Sequence, residues 1–246
     1  MTGPVRVVAE GLAVPSTAVD AVDVCWHEPP DPSGVAVLVT HGAGGDLTDH
    51  VLVELADELA AGGHLVGRVN LPYRQRRASG PPPRAEASVA DLASVLAAAA
   101  ETRPGHRWVL GGKSYGGRVA TLVAAEAPTH DHDLDHDDAQ PIGLLCVSYP
   151  LHPPGRPDRL RVAHFPDVAV PVLVVQGGDD PFGGPDELRP HLPTLGGPAR
   201  LLEVPHADHG LHVARTRSAD GRTHRSAHVL AHRGGELRAW LSALTG

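Results

Sequence analysis

The sequence predicts an α/β protein, a mostly parallel twisted sheet with helices on both faces. Short β-branched runs alternate along the chain with longer segments of helical periodicity. Several runs are continuously apolar, as in strands buried on both faces, and Gly- or Pro-bearing turns bound them. The 246 residues, 41% hydrophobic and 20% charged, suffice to bury roughly 70% of the unfolded chain's surface. Neither a repeat nor a long linker divides them, so residues 1–246 read as one domain.

Val5–Glu10 and Val19–Trp26 read as two opening strands joined by a Gly/Pro/Ser turn, and Val35–Thr40 as a buried strand. Asp49–Ala61 has helical spacing at Leu52, Leu55, Ala56 and Leu59, with Asp49 as N-cap and Gly62-Gly63 as a stop. Leu65–Leu71 is the next strand, Tyr73–Arg84 an Arg/Pro/Gly loop and Ala85–Thr102 an Ala-rich helix. The alternation continues with strand Trp108–Gly111, helix Gly116–Ala127, and strands Ile142–Tyr149 and Val170–Gln176. Helix Pro185–Leu195, strand Ala199–Val204 and a closing helix, Arg225–Leu244, complete it. Tyr149 to Val170 is proline-rich and too short for a substantial helical lid, so an open site is expected, suited to small or flexible esters.

The net charge of −8, from 21 basic and 29 acidic residues, argues against a nucleic-acid or anionic-membrane binder. Cys25 and Cys146 lie in apolar runs far apart, as expected of buried thiols in a cytoplasmic protein. The N-terminus lacks a basic stretch leading into an apolar one, so no secretory leader is expected. No apolar run approaches the ~20 residues of a membrane span. The tract Thr129–Asp138 (THDHDLDHDD) is rich in potential metal ligands. It lacks a zinc-site spacing and reads as a solvated loop, so no metal site is assigned. Of 17 histidines most read as composition, and Lys113 is the single lysine.

The sharpest signal is Gly112-Lys113-Ser114-Tyr115-Gly116, a G-x-S-x-G element between an apolar strand and a small-residue helix. Such a turn strains the serine backbone, and side chains at the flanking glycine positions would clash where strand and helix converge. It lifts the serine hydroxyl to the sheet's carboxyl edge. A serine needs a base and an acid that orients the base. Gly177-Gly178-Asp179-Asp180-Pro181 follows a strand, with Asp180 preferred as the acid and Asp179 its rival. Pro205-His206-Ala207-Asp208-His209-Gly210 follows the last strand, with His209 preferred as the base over His206 and His212. The glycine-rich Thr40-His41-Gly42-Ala43-Gly44-Gly45-Asp46 follows a buried strand and keeps backbone donors uncovered. The N–H groups of Ala43 and Tyr115 are the expected oxyanion donors. This loop fits neither phosphate-cradling pattern, G-x-G-x-x-G or G-x-x-x-x-G-K-[ST].

Substrate-binding candidates are His41 and Gly42 of that loop, Tyr73 and Arg74 at a strand's carboxyl end, and Tyr149 of a Tyr-Pro-Leu-His turn. Arg74, Arg76 and Arg77 offer charge to an acidic substrate, although loops of this composition are more often simply solvated.

Taken together, HGAGGD (41–46), GKSYGG (112–117) with Arg118 after it, GGDDP and ADHG resemble the α/β-hydrolase superfamily, in particular its dienelactone-hydrolase-like branch. The segment Gly143–Gly155 (GLLCVSYPLHPPG) is most similar to a family that includes an animal testis-expressed protein and a subunit of a histone-acetyltransferase complex. The resemblance implies the α/β-hydrolase fold, with Ser114 as nucleophile, Asp180 as acid and His209 as base. The expected function is a cofactor-free serine hydrolase acting on a small-molecule ester, thioester or lactone. The alternative is a binding or scaffold protein that kept the fold.

Overall fold

The computed structural model describes residues 4–15, 17–77, 79–126, 140–213 and 229–244. The His/Asp tract at 129–138 lies outside them. The apolar runs form strands β1 (Arg6–Ala13), β2 (Ala21–Glu28), β3 (Val35–Thr40), β4 (Leu65–Val69), β5 (Arg107–Lys113), β6 (Pro141–Val147), β7 (Val172–Gly177) and β8 (Ala199–Val204). They build one sheet in the order β1-β2-β4-β3-β5-β6-β7-β8. β1 and β2 are antiparallel, as are β2 and β4, and all later pairings are parallel.

Strand alternation supplies both cores. Val35, Val37 and Val39 of β3 face one side, with Leu52, Leu55 and Leu59 of helix α1 (His50–Ala61). Trp240 and Leu241 of helix α6 (Gly234–Ala243) join this layer. Ala36 and Leu38 face the other side. There they meet Leu92 and Leu96 of helix α3 (Val89–Thr102) and Val119 of helix α4 (Tyr115–Glu126). One-residue alternation thus assigns each side chain to a layer. The Asp49 carboxylate caps α1 by accepting from Val51 N–H at 3.0 Å.

Three elements differ from the sequence expectation. The Tyr73–Arg84 loop opens with a short helix, α2 (Pro72–Arg76), because Pro72 sits at the first helical position, where its missing N–H costs nothing. The Pro185–Leu195 helix stops after one turn, α5 (Pro185–Leu188), and continues as a 3-10 turn over Arg189–Thr194. Pro190 and Pro193 remove the amide donors an α-helix needs there. Of the expected closing helix, residues 225–228 lie outside the described ones; a 3-10 turn at Ala231–Arg233 then precedes the helix at Gly234–Ala243. Between β6 and β7 the chain forms a single 3-10 turn, Phe165–Asp167, and no helical lid.

Candidate active site

The β5–α4 turn carries Ser114 at φ 50°, in the left-handed region. The flanking glycines are sterically required. A Cβ on Gly112 would fall 2.3 Å from the Thr40 carbonyl oxygen, and one on Gly116 would fall 2.6 Å from the same atom. Strand β3 therefore passes within backbone contact of the turn, which places the 41–45 loop beside Ser114. At the far side, a Cβ on Gly177 would lie 2.4 Å from the Ala207 carbonyl oxygen. This close approach brings the 206–210 loop over the end of β7.

These approaches bring Ser114, His209 and Asp180 into one hydrogen-bonded row. Ser114 Oγ lies 2.8 Å from His209 Nε2, and His209 Nδ1 lies 2.9 and 2.8 Å from the two Asp180 carboxylate oxygens. Asp180 is 4% exposed, and its other contacts are donors. Phe182 N–H donates at 2.8 Å and Gln176 Nε2 at 3.0 Å. An acceptor-only carboxylate places the imidazole proton on Nδ1, leaving Nε2 to accept from the serine hydroxyl. The Phe182 ring stacks on His209 at 4.1 Å between centroids. Asp208 holds the loop by accepting from Gly210 and His212 N–H groups at 2.8 and 2.9 Å.

The rivals lie elsewhere. Asp179 and His206 are exposed. His212 pairs with Asp208 at 3.3 Å and stacks on His50 at 4.6 Å.

A cavity of about 770 Å³ opens over Ser114 and His209, with Gly42, Ala43, Tyr115 and Phe182 in its wall. That volume lies within the ordinary range for small-molecule sites. Tyr115 N–H opens α4 and so has no intrahelical acceptor. Among the described residues, no backbone carbonyl accepts from the Ala43 N–H. Both residues line the space above Ser114.

Of the five proposed substrate contacts, only Gly42 reaches this cavity. His41, Tyr73, Arg74 and Tyr149 sit one layer behind it. His41 is fully buried, with Nδ1 donating to Gly42 O at 2.8 Å and Nε2 accepting from Leu71 N–H at 3.1 Å. Burial holds it below the usual histidine pKa and so in the neutral form this bonding needs. Tyr73 Oη and Arg74 Nη2 both donate to Ala43 O, at 3.1 and 2.9 Å. These three residues shape the 41–45 loop from behind. Tyr149 is buried and donates its hydroxyl to Arg161 O at 2.7 Å.

The structure also adds Gln176, Arg84 and Arg161, which the sequence reading did not single out, and gives Lys113 and Arg118 their places. Gln176 is fully buried; besides Asp180 it donates to Gly183 O at 2.7 Å and Tyr149 O at 3.2 Å, and accepts from Tyr149 N–H at 2.8 Å. Its only trace in the sequence is a polar residue ending an apolar strand. Lys113, beside Ser114, pairs with Asp49 at 2.8 Å. Arg84, Arg118 and Arg161 complete a basic wall. Among the described residues no three His, Cys, Asp or Glu side chains converge to hold a metal, and no helix is long and apolar enough to cross a membrane.

The family described as "Alpha/beta hydrolase domain" matches residues 33–235. An α/β serine hydrolase without a lid from Xanthomonas campestris superposes with a TM-score of 0.64 at 22% identity, over 98% of this chain and 94% of that one. A dienelactone hydrolase from Anabaena variabilis does so with 0.65 at 19%, over 98% and 99%. A serine hydrolase homologue from Coxiella burnetii gives 0.64 at 20%, over 98% and 96%. At these identities the likeness is one of fold. The family match spans the β3 loop, the β5–α4 turn and the loops bearing Asp180 and His209, and the chain belongs to the alpha/beta hydrolase domain family.

Proposed function

We propose that the protein is a serine hydrolase that cleaves a small-molecule ester, thioester or lactone through an acyl-enzyme. The observation that carries this reading is the continuous row Ser114–His209–Asp180 at 2.8 to 2.9 Å. It lies under a cavity bordered by two backbone donors. Ser114 Oγ attacks the carbonyl carbon while His209 Nε2 takes its proton. Asp180 holds the imidazole tautomer and stabilises the imidazolium, and the Ala43 and Tyr115 N–H groups receive the oxyanion. The imidazolium then protonates the leaving oxygen or sulfur. Water, deprotonated by the same His209, releases the acid and restores Ser114. The nucleophile, base, acid and oxyanion donors in these steps are all groups of the chain.

The dienelactone hydrolases among the structural neighbours support placement in that branch. The Gly143–Gly155 segment supports kinship with the family of the testis-expressed protein and the acetyltransferase-complex subunit. Two buried free cysteines support a cytoplasmic location. Labelling with a fluorophosphonate probe tests the activity. Wild type should label and Ser114→Ala should not; an unlabelled wild type would leave a binding protein that kept the fold. The missing lid predicts that short p-nitrophenyl esters are cleaved faster than long ones, and a clear preference for long chains would contradict an open site.

A further inference from the structure

The two edges of the sheet are finished differently. At β8 the edge is guarded: Arg233 Nη2 donates to Glu203 O at 2.8 Å, and Arg189 pairs with the Glu203 side chain at 3.7 Å. At β1, among the described residues, the backbone of Arg6–Ala13 bonds to β2 and to nothing else. This strand is eight residues long, pairs without a bulge and contains neither proline nor lysine, the usual guards of an open edge. Val7, Ala9, Gly11 and Ala13, which share one face, are all exposed. Val7, at 55%, is one of two large apolar side chains exposed among the described residues.

The hydrogen-bonding phase of this edge follows from its end. Val14 N–H donates to Asp20 O at 2.9 Å, continuing the register in which Ala13 faces Ala21. Opposed residues of an antiparallel ladder are bonded and unbonded by turns. The even-numbered residues of β1 therefore bond to β2, and the N–H and C=O groups of Val7, Ala9, Gly11 and Ala13 point outwards. On the other side of β2, Asn70 N–H donates to Asp23 O at 3.0 Å, which gives the same phase.

A second β1 related by a two-fold axis must meet these groups with its own odd-numbered residues. Centred on Val8, the pairing sets Val7 against the partner's Ala9 in bonded pairs and Arg6 against the partner's Glu10. Centred on Ala9, it sets Arg6 against Leu12 and Glu10 against Val8. Centred on Glu10, it sets two carboxylates face to face. Opposite charges meet in the first of these registers, and directly opposed charges of unlike sign favour a strand pair. Both groups have capacity left. The Arg6 side chain is 74% exposed and reaches Glu28 at 3.6 Å. Glu10 receives Trp26 Nε1 at 2.7 Å and Arg103 Nη2 at 2.9 Å on Oε1, which leaves Oε2 to accept.

We propose that β1 is the interface of a two-fold symmetric dimer, in which two copies of this chain join their sheets edge to edge, antiparallel about Val8. The pairing consumes both open edges, so the assembly closes at two copies.

Sedimentation velocity over a concentration series tests it. Two paired strands bury less than the about 1,000 Å² of a stable complex, so a dimer that dissociates in the micromolar range is expected. Ala9→Pro removes an outward N–H and leaves the β1–β2 ladder whole. It should weaken the dimer by about tenfold or more, since a bond is lost on each side of the axis. Arg6→Glu sets like charges opposite each other and should also weaken the dimer, which keeps the test decisive if Ala9→Pro does not fold. The register is read by oxidative cross-linking. Val8→Cys should form a disulfide across the axis, because opposed residues of an unbonded pair lie within disulfide reach. Gly11→Cys should not, because Gly11 there opposes the partner's Val5. A dimer weakened by the substitutions and cross-linked through Val8→Cys sustains the proposal. A wild type that stays monomeric, a dimer that neither substitution weakens, growth beyond two copies, or absence of the Val8→Cys cross-link overturns it.

Discussion

Asp180→Asn keeps the size of the side chain but removes its charge and half of its accepting capacity. All recorded partners of the carboxylate are donors. Oδ1 accepts from Phe182 N–H at 2.8 Å, Oδ2 from Gln176 Nε2 at 3.0 Å, and both face His209 Nδ1. An asparagine must therefore point its NH₂ at a donor in either orientation. Gln176 cannot turn to help, because its own amide is fixed by Gly183 O, Tyr149 O and Tyr149 N–H. The exchange thus loses charge-assisted bonds worth about 1.5–3 kcal/mol and leaves one buried donor unsatisfied, at about 1–3 kcal/mol. A stability loss of about 3–5 kcal/mol is expected in denaturant unfolding. The same exchange in a Ser-His-Asp triad lowers turnover by about 10⁴, because the imidazole takes the wrong tautomer. A comparable fall in kcat/KM for a short aryl ester is expected here. Unfolding free energy within about 1 kcal/mol of wild type would refute the cage of donors. A rate loss below about tenfold would refute the role of Asp180 in holding His209.

Other perturbations probe the surroundings. Gly116→Ala places a Cβ 2.6 Å from Thr40 O and 2.8 Å from His41 O; a loss of about 1–3 kcal/mol and slower fluorophosphonate labelling are expected. Gly44→Ala, with open space around its Cβ position, is the control for stability, and equal melting of the two variants would contradict the clash. Lys113→Met strands the Asp49 carboxylate, whose side chain is 14% exposed, and about 2–3 kcal/mol of stability should be lost. Adding Asp49→Asn should restore part of it, since asparagine still caps α1, and a strictly additive double mutant would deny the coupling. Acid should destabilise the protein through buried histidines. His27, His41, His64, His106 and His164 are all held below the usual value, first by burial, His164 down to about 4. Their folded pKa values lie below the unfolded ~6.5. The stability from keeping them neutral is therefore complete above that pH and is lost as pH falls towards the folded values. Each contributes up to about 1.4 kcal/mol per pH unit inside its window. Urea midpoints measured at about pH 7 and about pH 5 should differ clearly, and a flat profile would reject the idea.

The fold was legible because its signals are local. Two-residue alternation in Val35–Thr40 divides that strand between two cores, and the same rule holds for Leu144–Val147 and Leu173–Val175. The helix at His50–Ala61 announced its start by Asp49 and its end by Gly62. What failed was the reading of prolines. Pro72 opens a helix inside the stretch read as a loop, while Pro190 and Pro193 break one read as continuous. The same ring favours the first helical position and forbids the interior, so its effect depends on a boundary that periodicity alone does not fix.

The site was legible where backbone geometry dictates the residue and obscure where only side-chain reach does. Gly112 and Gly116 mark the turn because any Cβ there meets the end of β3. His41, Tyr73 and Arg74 have equally suggestive positions, yet their side chains hold the loop instead of facing the cavity. Lining a pocket and supporting the segment that lines it draw on the same polar residue types at the same strand ends. Sequence adjacency to the site does not separate the two roles. Arg118 is the instructive contrast. It lies four residues beyond Ser114, one helical turn along the same face of α4, so helical spacing alone carries it back towards the cavity. Arg84 and Arg161 have no such relation to Ser114 in sequence, and only the folded chain joins them to it. Three arginines supplied by three segments leave no motif, because each is free to come from any loop that reaches the rim. The basic wall is therefore the part of the site for which the folded structure was indispensable.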